Sequence, residues 1–223
     1  EKTRDYGTVS EADTAVEQFL KTWVRTTFPD ESIVAEESGG EALRIGWTID
    51  PIDGTNFFAH GLTDWSISLS RFVDGEVVLG ITYCPPTDEM FWAVKGSGAF
   101  VNGIKVKVSD LENPKREIVN LGQDIIRLYN RVDIEEELIK ESRTHWAIGS
   151  TALALCKLGE GKIDLAVHMK QSIWDIAVGS LFIPEAGGRF RTWDSSPLDF
   201  SGKRANDIYA DNGSLPQDWP FLS

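Results

Sequence analysis

Two periodicities alternate along the chain. Residues 1–9 are polar. Ser10 then reads as an N-cap with Asp13 three residues on, and Val16, Phe19, Leu20, Trp23 and Val24 recur at helical spacing. This predicts a helix that ends near Phe28, before Pro29, with Asp13 close to its inward face. Ser32-Ile33-Val34-Ala35 predicts a short strand running directly into Glu36-Glu37-Ser38. Trp47-Thr48-Ile49 predicts a buried strand beside it. Pro51 biases Asp50 toward an extended conformation and makes Asp50 the expected last residue of that strand. Residues 56–60 predict a single helical turn. Period two then dominates, with strands expected at 65–69, 76–83, 89–94, 98–101 and 104–108. Asp74-Gly75, Gly96 and Asn102-Gly103 supply local turns, so these strands read as an antiparallel meander.

The second half has a different pattern. A strand is expected at 117–121, a charged and mainly helical stretch at 123–141, and an apolar helix at 152–158. A strand at 161–168 precedes a helix at 173–186, which Ser172 caps and Gly187 closes. Strands at 189–193 and 207–210 finish the pattern, with a surface loop at 194–206. Glu135-Glu136-Glu137 reads as a solvated helix face. The mixture predicts an α/β (α+β) domain over 1–223, with a first half to residue 121 and a second from 122.

Composition narrows the function. Hydrophobic residues make up 41% of the chain and include eight tryptophans, enough for a sizeable core. The formal charge of −13 argues against a nucleic-acid surface. Cys84 and Cys156 are too few for a disulfide scaffold or a thiolate zinc site, which makes a reduced, cytoplasmic setting the default. No run of about 20 apolar residues suggests a membrane span, and no signal peptide is visible. The chain opens at Glu1 rather than a methionine, which points to a missing N-terminal piece.

The candidate chemistry sits on acids at the ends of apolar elements: Glu36, Asp50, Asp53 and Asp175. Carboxylates gathered together repel, and a divalent cation relieves that repulsion. Oxygen-only ligation selects magnesium, manganese or calcium over zinc. Thr55 beside the acids is placed to orient a water, and the N–H groups of Gly54 and Thr55 to hold phosphate at a helix start. Together these residues suggest metal-assisted hydrolysis of a phosphate ester. The bland alternatives are a solvated Asp/Gly turn and, for Asp13, a first-turn acid favoured by the helix dipole. His60 reads as structural. Gly161-Lys162-Ile163 fails the P-loop pattern, and Gly149-Ser150-Thr151 fails the nucleophile elbow. Gly96-Ser97-Gly98 reads as a turn. An aspartyl-phosphate phosphatase spaces its acids Asp-x-Asp and stays the closest mechanistic rival.

Asp50-Pro51-Ile52-Asp53-Gly54-Thr55, and Trp174-Asp175 followed by Glu185-Ala186-Gly187-Gly188, resemble the two signature motifs of the inositol monophosphatase family. Ala35-Glu36-Glu37-Ser38 resembles its Gly-Glu-Glu-Ser segment, and the intervals match from about Lys2 onward. The family's usual leading helix is absent. The resemblance implies a layered αβαβα sandwich and a magnesium-dependent, lithium-sensitive phosphatase, usually a homodimer, acting on a small phosphorylated substrate. It implies two to three Mg2+ per site, with Mn2+ a possible substitute. Glu36, Asp50 and the Ile52 carbonyl would hold the first ion, Asp50, Asp53 and Asp175 the second, and Glu36 a weaker third. Thr55, hydrogen-bonded to Asp13, would orient the attacking water, with Glu36 in the catalytic set. Gly149, Ser150 and Thr151 match a substrate-side turn, joined at the substrate by Asp53, Asp175 and His168. Lys2 matches a mobile-loop lysine.

Two departures bear on substrate. His168 stands where animal inositol enzymes carry a glutamate that contacts an inositol hydroxyl, and Asn56 replaces a common second threonine. Archaeal members that act on both fructose 1,6-bisphosphate and inositol 1-phosphate are similar in compactness. Relatives that cleave adenosine 3′,5′-bisphosphate or NADP share the same metal motifs and form the alternative. A non-catalytic metal- or phosphate-sensing module is the alternative from another class.

Overall fold

A computed structural model of the chain describes residues 11–40, 44–113, 117–122, 125, 132–200 and 206–215. Lys2, Ser10 and most of 123–131 lie outside the described residues.

Helix α1 (Glu11–Thr27) packs on one face of a seven-stranded sheet. Its strands are β1 (Ser32–Ala35), β2 (Ile45–Asp53), β3 (Ser66–Val73), β4 (Glu76–Cys84), β5 (Glu89–Val94), β6 (Gly98–Val101) and β7 (Ile104–Val106), in sequence order across the sheet. The one-turn helix α2 (Thr55–Ala59) links β2 to β3. From β2 onward neighbouring strands are antiparallel, as the meander predicts. Within this sheet, β1 runs parallel to its neighbour, with Ala35 opposite Ile49.

The second sheet has the order β11 (Arg189–Thr192), β12 (Asn206–Asp211), β10 (Leu165–Gln171), β8 (Ile118–Leu121) and β9 (Thr144–His145). Helix α3 (Val132–Glu141) contacts β8 from outside. Helices α4 (Thr151–Gly159) and α5 (Ile173–Glu185) lie between the two sheets. The layers are therefore α, β, α, β, α. Buried clusters agree with this order. Val24, Trp47, Ile49 and Leu69 pack under α1. Phe72, Phe91, Leu155, Val178, Phe182 and Ile208 fill the centre. Val119, Leu138, Val167 and Tyr209 line the outer side of the second sheet. Cys84 and Cys156 are both buried and form no disulfide, and desolvation pushes the Cys156 thiol up to about 12. No described helix is long and apolar enough to cross a membrane.

Four differences from the sequence pattern have physical causes. β2 does not stop at Asp50. It continues through Pro51 to Asp53, with a register irregularity between Asp50 and Asp53 that accommodates a residue lacking an N–H. α1 is rotated from its apolar stripe: Phe19 is 70% exposed and Trp23 43%, while Asp13 and Glu17 are buried against the sheet. Glu17 turns inward because it accepts from the Glu37 N–H at 3.1 Å and pairs with Lys21 at 3.4 Å. β10 starts at Leu165 rather than 161, because Gly161 takes φ +78 and the N–H groups of Lys162 and Ile163 fold back onto the Lys157 carbonyl. Finally, β8 belongs to the second sheet, so the boundary between halves falls before Ile118 rather than after residue 121.

Glu117, just before β8, is fully buried, and neither of its carboxyl oxygens has a hydrogen-bond partner. Desolvation first, then the charges of Asp164 and Asp211, push its pKa up to about 8. At low pH the carboxyl is neutral in both folded and unfolded chains. Between its ordinary value and about 8, only the unfolded chain releases the proton, so stability falls as pH rises and levels off above that. Glu117→Gln removes this dependence. In urea melts it should exceed the parent by about 1–3 kcal/mol at pH 9 and by little at pH 4. An equal difference at both pH values would show that ionisation of Glu117 is not the cause.

Candidate metal centre and active site

The parallel pairing of β1 with β2 builds the site's first half. Because Ala35 lies opposite Ile49, the Glu36 N–H continues the ladder onto the Ile49 carbonyl at 3.1 Å. Glu36 is thereby brought beside Asp50, close enough for their carboxyl groups to share a hydrogen bond. In a regular strand, residues three apart face opposite sides of the sheet. The irregularity at Pro51 breaks that alternation, and Asp53 reaches the same side as Asp50. Asp175, in the first turn of α5, completes the group. One carboxylate oxygen from each of Asp50, Asp53 and Asp175 lies within 4.8 Å of the others.

All of these acids are held against ionisation. Asp50 and Asp175 are raised well above the ordinary aspartate range, first by desolvation and then by the Asp53 charge. Desolvation raises Asp53 to about 6, against hydrogen bonds from Ser150 and the backbone of Ala152 and Thr151. Glu36 keeps much of its surface in water, but its carboxyl turns inward to Asp50 and is raised to about 7, by desolvation first. Asp50 Oδ1 is buried without a partner.

Neighbouring groups fix the acids. Asp53 Oδ2 accepts from Ser150 Oγ and the Ala152 N–H, both at 2.7 Å. Asp175 Oδ2 accepts from the Ser172 N–H at 2.7 Å, inside its own helix cap. Thr55 Oγ1 donates to the Ile52 carbonyl at 2.9 Å and lies 3.5 Å from Asp13 Oδ1. Gly54 caps α2 at φ +90, where a Cβ would sit 3.2 Å from the Asp64 carbonyl. A Cβ on Gly149 would fall 2.2 Å from the Phe57 ring, so this glycine lets α2 press against the start of α4.

The expected substrate-side residues divide. Ser150 Oγ is fully buried between Asp53, Ser66 and the Leu153 N–H, which places it behind the acids. Thr151 Oγ1 donates to Gln171 Oε1 at 2.7 Å and lies 3.3 Å from His168 Nδ1. With the Thr151 proton committed, His168 Nδ1 must be the donor and Nε2 the bare acceptor. That Nε2 is buried without a partner, and desolvation lowers the His168 pKa to about 4, so the ring is neutral. His60 caps α2 through the Asn56 carbonyl at 2.7 Å, the structural role expected of it. Sequence reasoning missed Glu17, Ser66 and Gln171. Glu17 and Ser66 sit where a polar residue ordinarily faces solvent, and Gln171 falls beyond the expected strand end.

Comparison with known proteins decides the assignment. A sequence model of the inositol monophosphatase family matches residues 1–217. The chain belongs to this family. The fructose-1,6-bisphosphatase/inositol-1-monophosphatase of Thermotoga maritima is 37% identical over 198 residues, covering 89% of this chain and 73% of that protein. The inositol-1-monophosphatase of Bacillus subtilis is 31% identical over 198 residues, covering 86% of this chain and 75% of that protein. The crystal structure of extragenic suppressor protein suhB from Bartonella henselae superposes with a TM-score of 0.85 at 29% identity, covering 92% of this chain and 82% of that one. This member of the inositol monophosphatase family is a phosphoric monoester hydrolase, and the family depends on metal.

The family's second motif gains a physical reason here. Glu185, at the far end of α5 from Asp175, accepts from the Gly96 and Gly98 N–H groups at 2.6 and 2.7 Å. The helix that carries Asp175 is thus tied to the β5–β6 turn. The donor set also fits a hard cation. It offers carboxylate oxygens alone, one of them a bare buried Oδ1, in a place where charge repulsion is otherwise unrelieved.

Linkage gives the sign of a test. With raised pKa values, the metal-free protein loses stability as pH climbs from the ordinary carboxylate range to about 6–7, where Asp53 and Glu36 ionise in the folded chain. Asp50→Asn removes a carboxyl that the unfolded chain ionises freely and the fold holds back. At pH 8 in chelator it should melt about 3–6 °C above the parent, the equivalent of about 1–2 kcal/mol. It should also lose most of the melting-temperature rise that the parent shows with a divalent cation. A variant that melts lower in chelator would contradict the repulsion described here.

Proposed function

We propose that the protein is a magnesium-dependent phosphatase of sugar or inositol phosphate monoesters, with fructose 1,6-bisphosphate and inositol 1-phosphate as its substrates. The observation that carries this reading is the oxygen triad of Asp50, Asp53 and Asp175 beside Thr55 and Asp13. Glu36, Asp50, Asp53, Asp175 and the Ile52 carbonyl would hold two to three Mg2+, a set that Mn2+ also suits. When bound, the ions neutralise phosphoryl charge and lower the pKa of water.

The chain's own residues do the rest. Thr55 has one hydroxyl proton and two acceptors within reach, the Ile52 carbonyl and Asp13. With its proton directed at Asp13, Thr55 would have a lone pair free to orient the attacking water. The N–H groups of Gly54 and Thr55 hold the phosphate. Water adds to phosphorus directly and the ester P–O bond breaks; one proton of the water ends on the departing alkoxide, the other stays with the phosphate, and no phosphoenzyme forms. On the substrate side, neutral His168 supports recognition of a hydroxyl proton through its bare Nε2, in place of a charged carboxylate. The resemblance also supports a cytoplasmic, lithium-sensitive homodimer.

Phosphate release from fructose 1,6-bisphosphate, inositol 1-phosphate, adenosine 3′,5′-bisphosphate and NADP, with and without Mg2+, tests this reading. Release should require the metal and favour the first two. Preference for the nucleotides would overturn the substrate assignment, and no release at all would support a sensing module. Asp175→Asn should lower kcat by at least about a hundredfold and Thr55→Ala by about 10²–10⁴, with unchanged circular dichroism. A trapped phosphoaspartate at Asp50 would establish the covalent rival.

A further inference from the structure

Behind Asp53 lies a short chain of buried hydroxyls that reaches back into the sheet. Ser66 opens β3 directly opposite Asp53 in the β2–β3 register. Its Oγ lies 2.8 Å from Ser150 Oγ, and Ser150 Oγ lies 2.7 Å from Asp53 Oδ2. Both serines are fully buried, so water does not compete for these bonds. Valence fixes the direction of the chain. Ser150 donates its single proton to Asp53 Oδ2. The Leu153 N–H only donates, and fills one Ser150 lone pair at 3.0 Å. The other lone pair is left for Ser66, which must be the donor. Ser66 donates to Ser150 and Ser150 donates to Asp53, in one sense only.

We propose that Ser66 is a positioning residue for the metal centre. By filling the last Ser150 lone pair, it polarises the Ser150 hydroxyl and holds it on Asp53 Oδ2. Together with the Ala152 N–H at 2.7 Å, this commits Oδ2 to the protein and leaves Oδ1 as the oxygen offered to a cation. Without Ser66, the buried Ser150 lone pair is unpaired and the Asp53 carboxylate is held less firmly. The chain also joins three elements, since β2, β3 and the first turn of α4 meet at this one carboxylate. The inference rests on the metal-dependent reading above.

Direct cation binding separates the two claims. Titration of Mn2+ into the full chain, followed by calorimetry and by the paramagnetic signal of free ion, reports affinity without turnover. Ser66→Ala should weaken binding about three- to tenfold, the worth of one buried hydrogen bond. Ser66→Thr, which restores the hydroxyl, should return it to within about twofold. Ser70→Ala is the structural control: Ser70 is buried on the same strand, and its hydroxyl has no partner. It should leave Mn2+ affinity unchanged whatever it does to the melting temperature. If Ser66→Ala does not fold, Ser66→Cys, a weak donor of similar size, carries the same test. Parental affinity in the Ser66 variant, or equal losses in the Ser66 and Ser70 variants, would overturn the proposal. A parent chain that binds no divalent cation would overturn the proposed function and this inference with it.

Discussion

Repulsion between carboxylates governs this molecule. The fold collects Asp50, Asp53 and Asp175 so that oxygens from all three lie within 4.8 Å, with Glu36 at the Asp50 carboxyl. At that separation two unit charges repel by roughly 3–4 kcal/mol at an effective dielectric of about 20, and there are three such pairs. Several parts of the fold hold the arrangement from behind. Desolvation first, and for Asp50, Asp175 and Glu36 the neighbouring charges after it, raises the pKa values of all four acids. A cation relieves the repulsion, which makes metal binding and stability two readings of one interaction.

The restraints come from different layers. Parallel pairing of β1 delivers Glu36, an irregular register at Pro51 turns Asp53 inward, and the packing of α5 between the sheets delivers Asp175. Two of the carboxylates then have a partner on their far side. Asp53 has Ser150 and the Ala152 N–H, and Asp175 has the Ser172 N–H. At the opposite end of α5, Glu185 holds two backbone N–H groups of the β5–β6 turn, which stops the helix from sliding away from the acids. The two ends of that helix carry the two acidic residues of the second motif, one in the acidic cluster and one on the β5–β6 turn.

The acids that gather at the candidate site were legible before the fold. Acids at the ends of apolar runs are costly unless something uses them, and Asp50, Asp53 and Asp175 stood out for that reason. The supporting residues were not legible. Ser66 alternates with apolar neighbours as a solvent-facing residue does, and only its contact with Ser150 shows that it is buried. Glu17 lies off the apolar stripe of α1, and the helix turns it inward because its carboxylate finds the Glu37 N–H, leaving Phe19 exposed. Ser150 read as a substrate contact, and its hydroxyl instead faces the back of Asp53.

Local chemistry was enough to determine which segments form strands and helices, since side-chain period and the conformational limits of Pro and Gly act within a few residues. The same local limits singled out the acids and suggested a cation. Tertiary structure alone decided three further matters. Strand direction set β1 parallel to β2, which depends on how the chain returns. Register at Pro51 set the face that Asp53 occupies, which depends on pairing with Ser66 across the sheet. The proton order from Ser66 through Ser150 to Asp53 depends on groups up to 97 positions apart in the chain. Sequence spacing carries no information at that range, because a hydrogen bond between distant residues is chosen by the fold that brings them together.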